Sequence, residues 1–317
     1  MKLITKIFFC TLLLSNAMLF SQDNEEEAEE PTFRKKSKFQ TGFYVGSLFA
    51  NKYSASTYNG YGFDREGNRN TFINSYMHQK IVNEYGGGYG QYDYIADAIG
   101  VDQRQWTFNE SDMPFNMRYV PAIIVGFNFK APINGSSAFI FNVNAAKLGV
   151  EGNFTITKTG PTNPNPAANN NILNFPIKGS EQRLLFEMGF QKLLGEEEGK
   201  LNFFIEAGFV GTLAKYDRNM IYINNLQIDL TYYVNQAIYP APVPGRKPVG
   251  FGVGAFAGLG ANVNINPKFT LQLLYTPSYE KINIGTNPTL KLQNAIGLRV
   301  YYNLVAVKEK AETSKID

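Results

Sequence analysis

Residues 117–130 read MRYVPAIIVGFNFK and residues 137–144 read SAFIFNVN, with APINGS between them. In the first stretch Met117, Tyr119, Pro121, Ile123, Val125, Phe127 and Phe129 fall on alternate positions, opposite Arg118, Gly126, Asn128 and Lys130. A period of two is the signature of a strand with one apolar face. Pro132, Ile133, Asn134 and Gly135 carry turn chemistry, so the two stretches read as a hairpin. Pro121 has no N–H for the ladder, which predicts a local irregularity there. In the second strand, Phe139, Phe141 and Val143 alternate with Asn142 and Asn144. Further on the apolar set becomes Leu148, Val150, Phe154 and Ile156. Alternation changes face by gaining or losing a residue, so a β-bulge is expected near Ala145-Ala146.

Working outward, about eight such segments recur. They cover 39–50, 117–130, a third from Ala138, then 182–194, 201–213, 249–264, 269–279 and 290–304. Their connections run very long, short, long, short, long, short, medium. Outer-membrane barrels sort loops this way, with tight periplasmic turns and longer external loops. The fold class expected is all-β, an eight-stranded antiparallel transmembrane β-barrel with a long, partly helical first extracellular loop. An even strand count puts both ends on one side, read as periplasmic. On the apolar face, Phe39, Phe127, Phe129, Phe139, Phe190, Phe203, Phe269 and Tyr302 gather near the periplasmic ends, as in an interfacial girdle. A soluble lipocalin-like barrel would turn that face inward and would not sort its loops by parity.

The chain opens with Lys2 and Lys6, an apolar run Ile7–Leu14 and small residues Ser15, Ala17 and Ser21. That pattern predicts a signal peptide over 1–21. Its one cysteine, Cys10, lies inside this leader, behind Phe8 and Phe9 rather than small residues, which argues against lipidation. The exported chain then carries no disulfide, thiolate metal site or cysteine nucleophile. Residues 22–38 pass from Glu25–Glu30 to Arg34–Lys36 and read as a charged periplasmic linker. The barrel is expected over 39–305 and a charged periplasmic tail over 306–317. The formal charge is +3 with Lys2 and Lys6 counted, so the charge excludes a nucleic-acid binder.

The predicted interior collects Arg118, Arg183, Glu187, Glu206, Gln272, Lys291 and Arg299. Charges in a narrow barrel need partners or water, and eight strands leave room for little beyond side chains. Arg183 or Arg299 is expected to pair with Glu187 and Glu206, giving a charged network that fills the lumen. Gly250, Gly252, Gly254, Gly258 and Gly260 share one face of the sixth strand and are expected to make room for long side chains from across the lumen. No catalytic, cofactor-binding or metal site is expected. The only histidine, His78, stands apart from any triad, and Asp64, Glu66 and Asp93 match no calcium loop.

The first loop, 51–116, is long enough to carry function. Ile73, Met77, Ile81 and Tyr85 recur every fourth residue, with Phe72 and Tyr76 beside them, and predict one apolar helical stripe. Asn70 is the expected cap, Gly86–Gly88 the stop, and 92–99 a second helix. The stripe covers the barrel mouth as a lid or meets a partner.

The glycine-punctuated strand 250–260, Leu-Asn-Phe-Phe-Ile-Glu-Ala-Gly at 201–208, the closing Ile-Gly-Leu-Arg-Val-Tyr-Tyr-Asn-Leu at 296–304 and the leader ending Leu-Phe-Ser-Gln resemble the small outer-membrane barrels of Bacteroidota, the PorT-like and OmpA-like group. The resemblance spans roughly residues 39–305. It implies an outer-membrane location. The filled lumen and the apolar loop stripe point to a non-enzymatic accessory or scaffold subunit of an envelope assembly, and the resemblance allows type IX secretion or gliding machinery as one such assembly. Expected partners are outer-membrane lipid and other envelope proteins, met through the extracellular loop or the periplasmic ends; no cofactor is implied. A small-solute channel is the alternative, and a lipid-modifying enzyme resting on His78 a more distant one.

Overall fold

The computed structural model describes residues 39–63, 68–159, 171–195, 200–231, 249–266, 268–284 and 289–304. The chain divides into Met1–Lys36, which lies outside the described residues, and Ser37–Asp317. The expected signal peptide, the linker over 22–38 and the tail therefore fall outside the description, as do Asp64 and Glu66 of the first loop and the turn residues 196–199, 267 and 285–288.

Eight strands close a ring: β1 (Gln40–Phe49), β2 (Ala122–Pro132), β3 (Ser137–Lys158), β4 (Ile172–Leu194), β5 (Leu201–Ile223), β6 (Val249–Asn266), β7 (Phe269–Ile282) and β8 (Leu290–Asn303). Each pairs antiparallel with its chain neighbour, and β8 returns to β1 with Gln40 opposite Asn303 and Phe49 opposite Asn294. The fold is an eight-stranded antiparallel β-barrel. Closure leaves the ring without an unpaired edge.

The strands differ in height. β1 and β2 have 10 and 11 residues, whereas β3, β4 and β5 have 22, 23 and 23. About ten residues suffice for the barrel proper, so the longer strands rise above it as a one-sided wall. A short strand, Leu226–Asp229, turns back on β5 and widens the wall.

The wall explains the change of pattern in β3. No bulge interrupts it: from Ser137 opposite Lys192 to Thr157 opposite Ile172 the register with β4 is constant. Ile140, Asn142, Asn144, Ala146, Leu148 and Val150 all point inward and are buried. What changes is the surroundings. Below Ala146 the interior is polar and the outward residues Phe139, Phe141 and Val143 are apolar. Above it the interior is apolar, and Lys147, Glu151 and Asn153 face out. β4 and β5 reverse at the same level, where Ala145, Leu184 and Leu213 lie in one row and Lys147, Gln182 and Lys215 in the next.

The backbone slip occurs instead at Pro121. The short strand Arg118–Val120 pairs with β3 as Arg118 opposite Glu151 and Val120 opposite Gly149, while β2 holds Ile124 opposite Ala146. These two registers differ by one residue. Val120 and Pro121 both face out, so Met117 and Tyr119 turn inward and are buried, against the single apolar face expected for 117–130.

Below the reversal, an apolar belt surrounds the ring. Ile123, Phe127, Phe190 and Phe209 are 65%, 63%, 61% and 74% exposed. At the end away from the wall, aromatic rings meet in pairs, including Phe39 with Phe129, Phe139 with Phe190 and Phe269 with Tyr302.

Candidate functional site

The lumen is filled by two polar layers. In the lower one, Arg299 on β8 donates from Nη1 to Glu206 Oε1 on β5 at 2.7 Å and to Gln272 Oε1 on β7 at 3.2 Å. Gln191 Nε2 on β4 reaches the same Glu206 oxygen at 2.7 Å, and Gln272 Nε2 continues to Asn262 at 3.0 Å. On the other side, Asn128 donates to Asn142 at 2.7 Å and Asn142 to Glu187 at 2.9 Å. Arg299 and Glu206 are 2% and 0% exposed at their side chains, so the pair is buried within the barrel.

The upper layer stands at the mouth. Arg183 Nε donates to Glu181 Oε1 at 2.6 Å, and Arg183 Nη1 to Gln293 on β8 at 3.1 Å. Tyr119 and Tyr58 both donate to Glu181 Oε2, at 2.7 and 3.2 Å. Arg183 also lies 5.0 Å from the Tyr119 ring centre. Burial, with the Glu181 carboxylate beside it, pushes the Tyr58 phenol well above its usual range and keeps it a donor. Beside this layer Thr212 donates to Glu280 at 2.6 Å, and Ser278 bonds the other Glu280 oxygen.

Arg183, Glu187, Glu206, Gln272 and Arg299 thus share the lumen, but Arg183 takes Glu181 rather than Glu187 or Glu206. Arg118 is not in the lumen. The slip at Pro121 turns it outward, 71% exposed at its side chain, where it binds Glu151 at 2.8 Å. Lys291 sits at the mouth, 4.9 Å from the Tyr53 ring centre. The glycine face of β6 is covered by adjacent strands rather than from across. A Cβ on Gly260 would meet the Phe204 ring at 2.5 Å, and one on Gly258 would crowd Glu206 at 3.3 Å.

The first loop lies over the mouth and against the inner face of the wall. Met77, Ile81, Ile95, Ile99 and Trp106 share one core with Leu148, Phe154, Ile156, Ile177 and Ile221. Each aliphatic side chain buried there contributes about 1.5–3 kcal/mol. Tyr58 stacks on Tyr216 of β5 with ring centres 4.4 Å apart. Polar ties fix the loop: Thr57 to the Ile284 carbonyl at 2.8 Å, Asn224 to the Ala98 carbonyl at 2.6 Å, and Asn219 to the Tyr58 carbonyl at 3.1 Å.

The expected stripe is broken. The helical turn Tyr76–His78 starts at Ser75, whose side chain accepts from the His78 N–H, and passes into a π-turn over Gln79–Glu84. Ile73 precedes the helix and is 68% exposed; Met77 and Ile81 are fully buried; Tyr85 ends the helix half-buried. Asn70 does not cap it, and instead binds the Tyr61 carbonyl at 3.1 Å. The second helix is Tyr94–Ile99, capped by Asp93. Asp93 gathers three donors: the Ala96 N–H at 2.9 Å, the Arg104 N–H at 3.0 Å and Trp106 Nε1 at 3.0 Å. Its carboxylate is an anchor inside the loop.

His78 packs edge-on to Phe72 at 4.8 Å, and burial lowers its pKa. Among the described residues no three His, Cys, Asp or Glu side chains are placed to hold a metal ion.

No family model matches the chain, and no curated protein matches it. Among solved structures it is similar to neisserial surface protein A, at 8% identity over 84% of this chain and 96% of that one, with a TM-score of 0.39. It is similar to Ail, the attachment invasion locus protein of Yersinia pestis, solved with the heparin analogue sucrose octasulfate, at 8% identity, 84% and 98% coverage and a TM-score of 0.33. The N-terminal β-barrel domain of Pseudomonas aeruginosa OprF is 12% identical over 60% of this chain and 93% of that domain, with a TM-score of 0.31. These scores are low, and the functional reading rests on this chain's own residues.

Proposed function

We propose that the chain is a non-enzymatic outer-membrane barrel with a shut lumen, serving as an accessory or scaffold subunit of an envelope assembly. One observation carries this reading: an apolar outward belt encloses an interior crossed by ion pairs. Such a belt in water would expose far more contiguous apolar surface than a soluble monomer tolerates. Placed in lipid, it meets its own kind, and the closed ring satisfies its backbone groups internally. The reversal of outward polarity at Ala145 and Lys147 fits a passage from lipid to water, and on this reading the wall and lid stand outside the cell. An interior joined from Asn128 to Glu187 and from Gln191 to Asn262 leaves little for a solute to pass through, so the molecule's remaining asset is the structure it presents.

Affinity purification from native membranes in mild detergent, followed by mass spectrometry, tests the reading. A defined set of co-purifying envelope proteins supports the scaffold role and shows whether a type IX secretion or gliding assembly is the one joined. A clean monomer counts against it. The second reading, a small-solute channel, is favoured by buried polar atoms without partners in the lumen, among them Asn144 Oδ1, Glu206 Oε2 and Arg299 Nε, which suit water. Steady conductance in a planar bilayer would establish the channel; silence would remove it.

A further inference from the structure

We propose that the outward face of β3, β4 and β5, immediately above the apolar belt, seats the phosphate groups of an outer-leaflet glycolipid. The proposal rests on the outer-membrane reading above. Lys147, Gln182 and Lys215 stand in register across the three strands. Two strand spacings separate the lysines, so their stems rise about 10 Å apart. The next row, Gly149, Ser180 and Arg218, adds a guanidinium, and Lys178 stands one row higher. All four cations are exposed. One row below Lys147 the outward residues are Ala145, Leu184 and Leu213. The cations therefore sit where an acyl chain lying on the belt would join its headgroup.

The other charges of the wall and lumen are largely neutralised in pairs: Arg118 with Glu151, Arg183 with Glu181 and Arg299 with Glu206. The Lys215 and Arg218 side chains have no hydrogen bond or ion pair among the described residues. Asp217 is the one carboxylate in the two rows that hold Lys147, Lys215 and Arg218; the row of Lys178 also carries Glu151 and Asp229. Asp217 is extruded where the β4–β5 register shifts, held by Ser180 Oγ at 3.0 Å, and only 3.7 Å from Lys147 Nζ. Lys147, Lys215 and Arg218 thus face a single acid. Uncompensated cations at this depth attract anionic headgroups, and a guanidinium binds phosphate through paired donors. An open, water-facing surface holds free phosphate weakly. A phosphate delivered on acyl chains is held at this level by the belt beneath, which is why a lipid fits.

The test uses the full chain in phosphatidylcholine nanodiscs, with retention of diphosphoryl lipid A read by native mass spectrometry. The wild type is expected to retain diphosphoryl lipid A over its dephosphorylated form. Substituting Lys147→Gln, Lys215→Gln and Arg218→Gln should weaken retention by about fivefold for each cation removed. Asp217→Asn should tighten it by a similar factor, and added salt should weaken it. Equal retention by the triple variant overturns the proposal. So does equal retention of the dephosphorylated lipid, or displacement by millimolar inorganic phosphate. The folded chain's heat-modifiable mobility on gels reports barrel formation separately. A wild-type chain that does not enter phosphatidylcholine at all overturns the outer-membrane reading, and the glycolipid seat with it.

Discussion

Arg299 and Glu206 show how much a single side chain can matter inside a ring this narrow. Arg299→Met leaves Glu206 buried beside Gln191 without its counter-charge, and unpaired buried charges cost about 3–5 kcal/mol. Urea unfolding of the lipid-reconstituted barrel should show that loss, and adding Glu206→Gln should recover much of it. Asp93 makes a separate case in the lid. Asp93→Ala removes a helix cap worth about 1 kcal/mol and the acceptor for Trp106 Nε1. Trp106 is the only tryptophan, so a red-shifted emission with unchanged heat-modifiable mobility is the expected result. At this scale the sequence was legible where alternation stayed in phase: Arg183, Glu187, Glu206 and Arg299 lie on the face that period two assigns them. Arg118 was misassigned because one proline moves the ladder by a residue. Glu181 and Glu280 escaped notice because each lies one residue beyond the expected end of its strand. There the apolar half of the pattern had already changed sides.

β3 carries the lesson for elements. A polarity pattern reports surroundings as well as backbone phase, and one straight strand whose surroundings change along its length reverses its pattern without any bulge. The two explanations differ in what substitutions do. Val143 faces out below the reversal and Asn153 faces out above it on the same strand. Val143→Lys should destabilise the barrel in phospholipid vesicles by about 2–4 kcal/mol, as charges on a lipid face do. Asn153→Leu should change stability by about 0.5 kcal/mol or less, as surface substitutions usually do. Equal effects at both sites would remove the lipid boundary from between them. The eight strands themselves were legible from alternation and turn residues. The heights of β4 and β5 were not, because their upper residues, before Gln182 and after Leu213, lie beyond the segments 182–194 and 201–213 that alternation marks. The loop helix was legible as apolar and helical. Its start was not, since Ser75 out-competed Asn70 as cap and the π-turn took Tyr85 off the stripe.

For the whole molecule, closure is divided between two structures. The lid covers the mouth, while the Arg299 layer crosses the barrel below it. Replacing 51–116 with a short turn should bare Leu148, Phe154, Ile156 and Ile177, giving strong binding of a hydrophobic dye. The shortened protein should still be silent in a planar bilayer, because the lower layer remains. Current through it would mean that the lid, and not the charges, is the seal. Sequence patterning shows that a long loop is apolar; which wall it covers is set by strands far along the chain and cannot be read locally. The same long-range character governs how the ring is made. β1 finds β8 only after some 250 intervening residues, so the first strand keeps one hydrogen-bonding edge bare until the last is in place. Nothing short of the complete set of strands has a finished surface, and biogenesis of this chain is all or none: a stalled or truncated copy is an open sheet, ready to pair with whatever edge it meets.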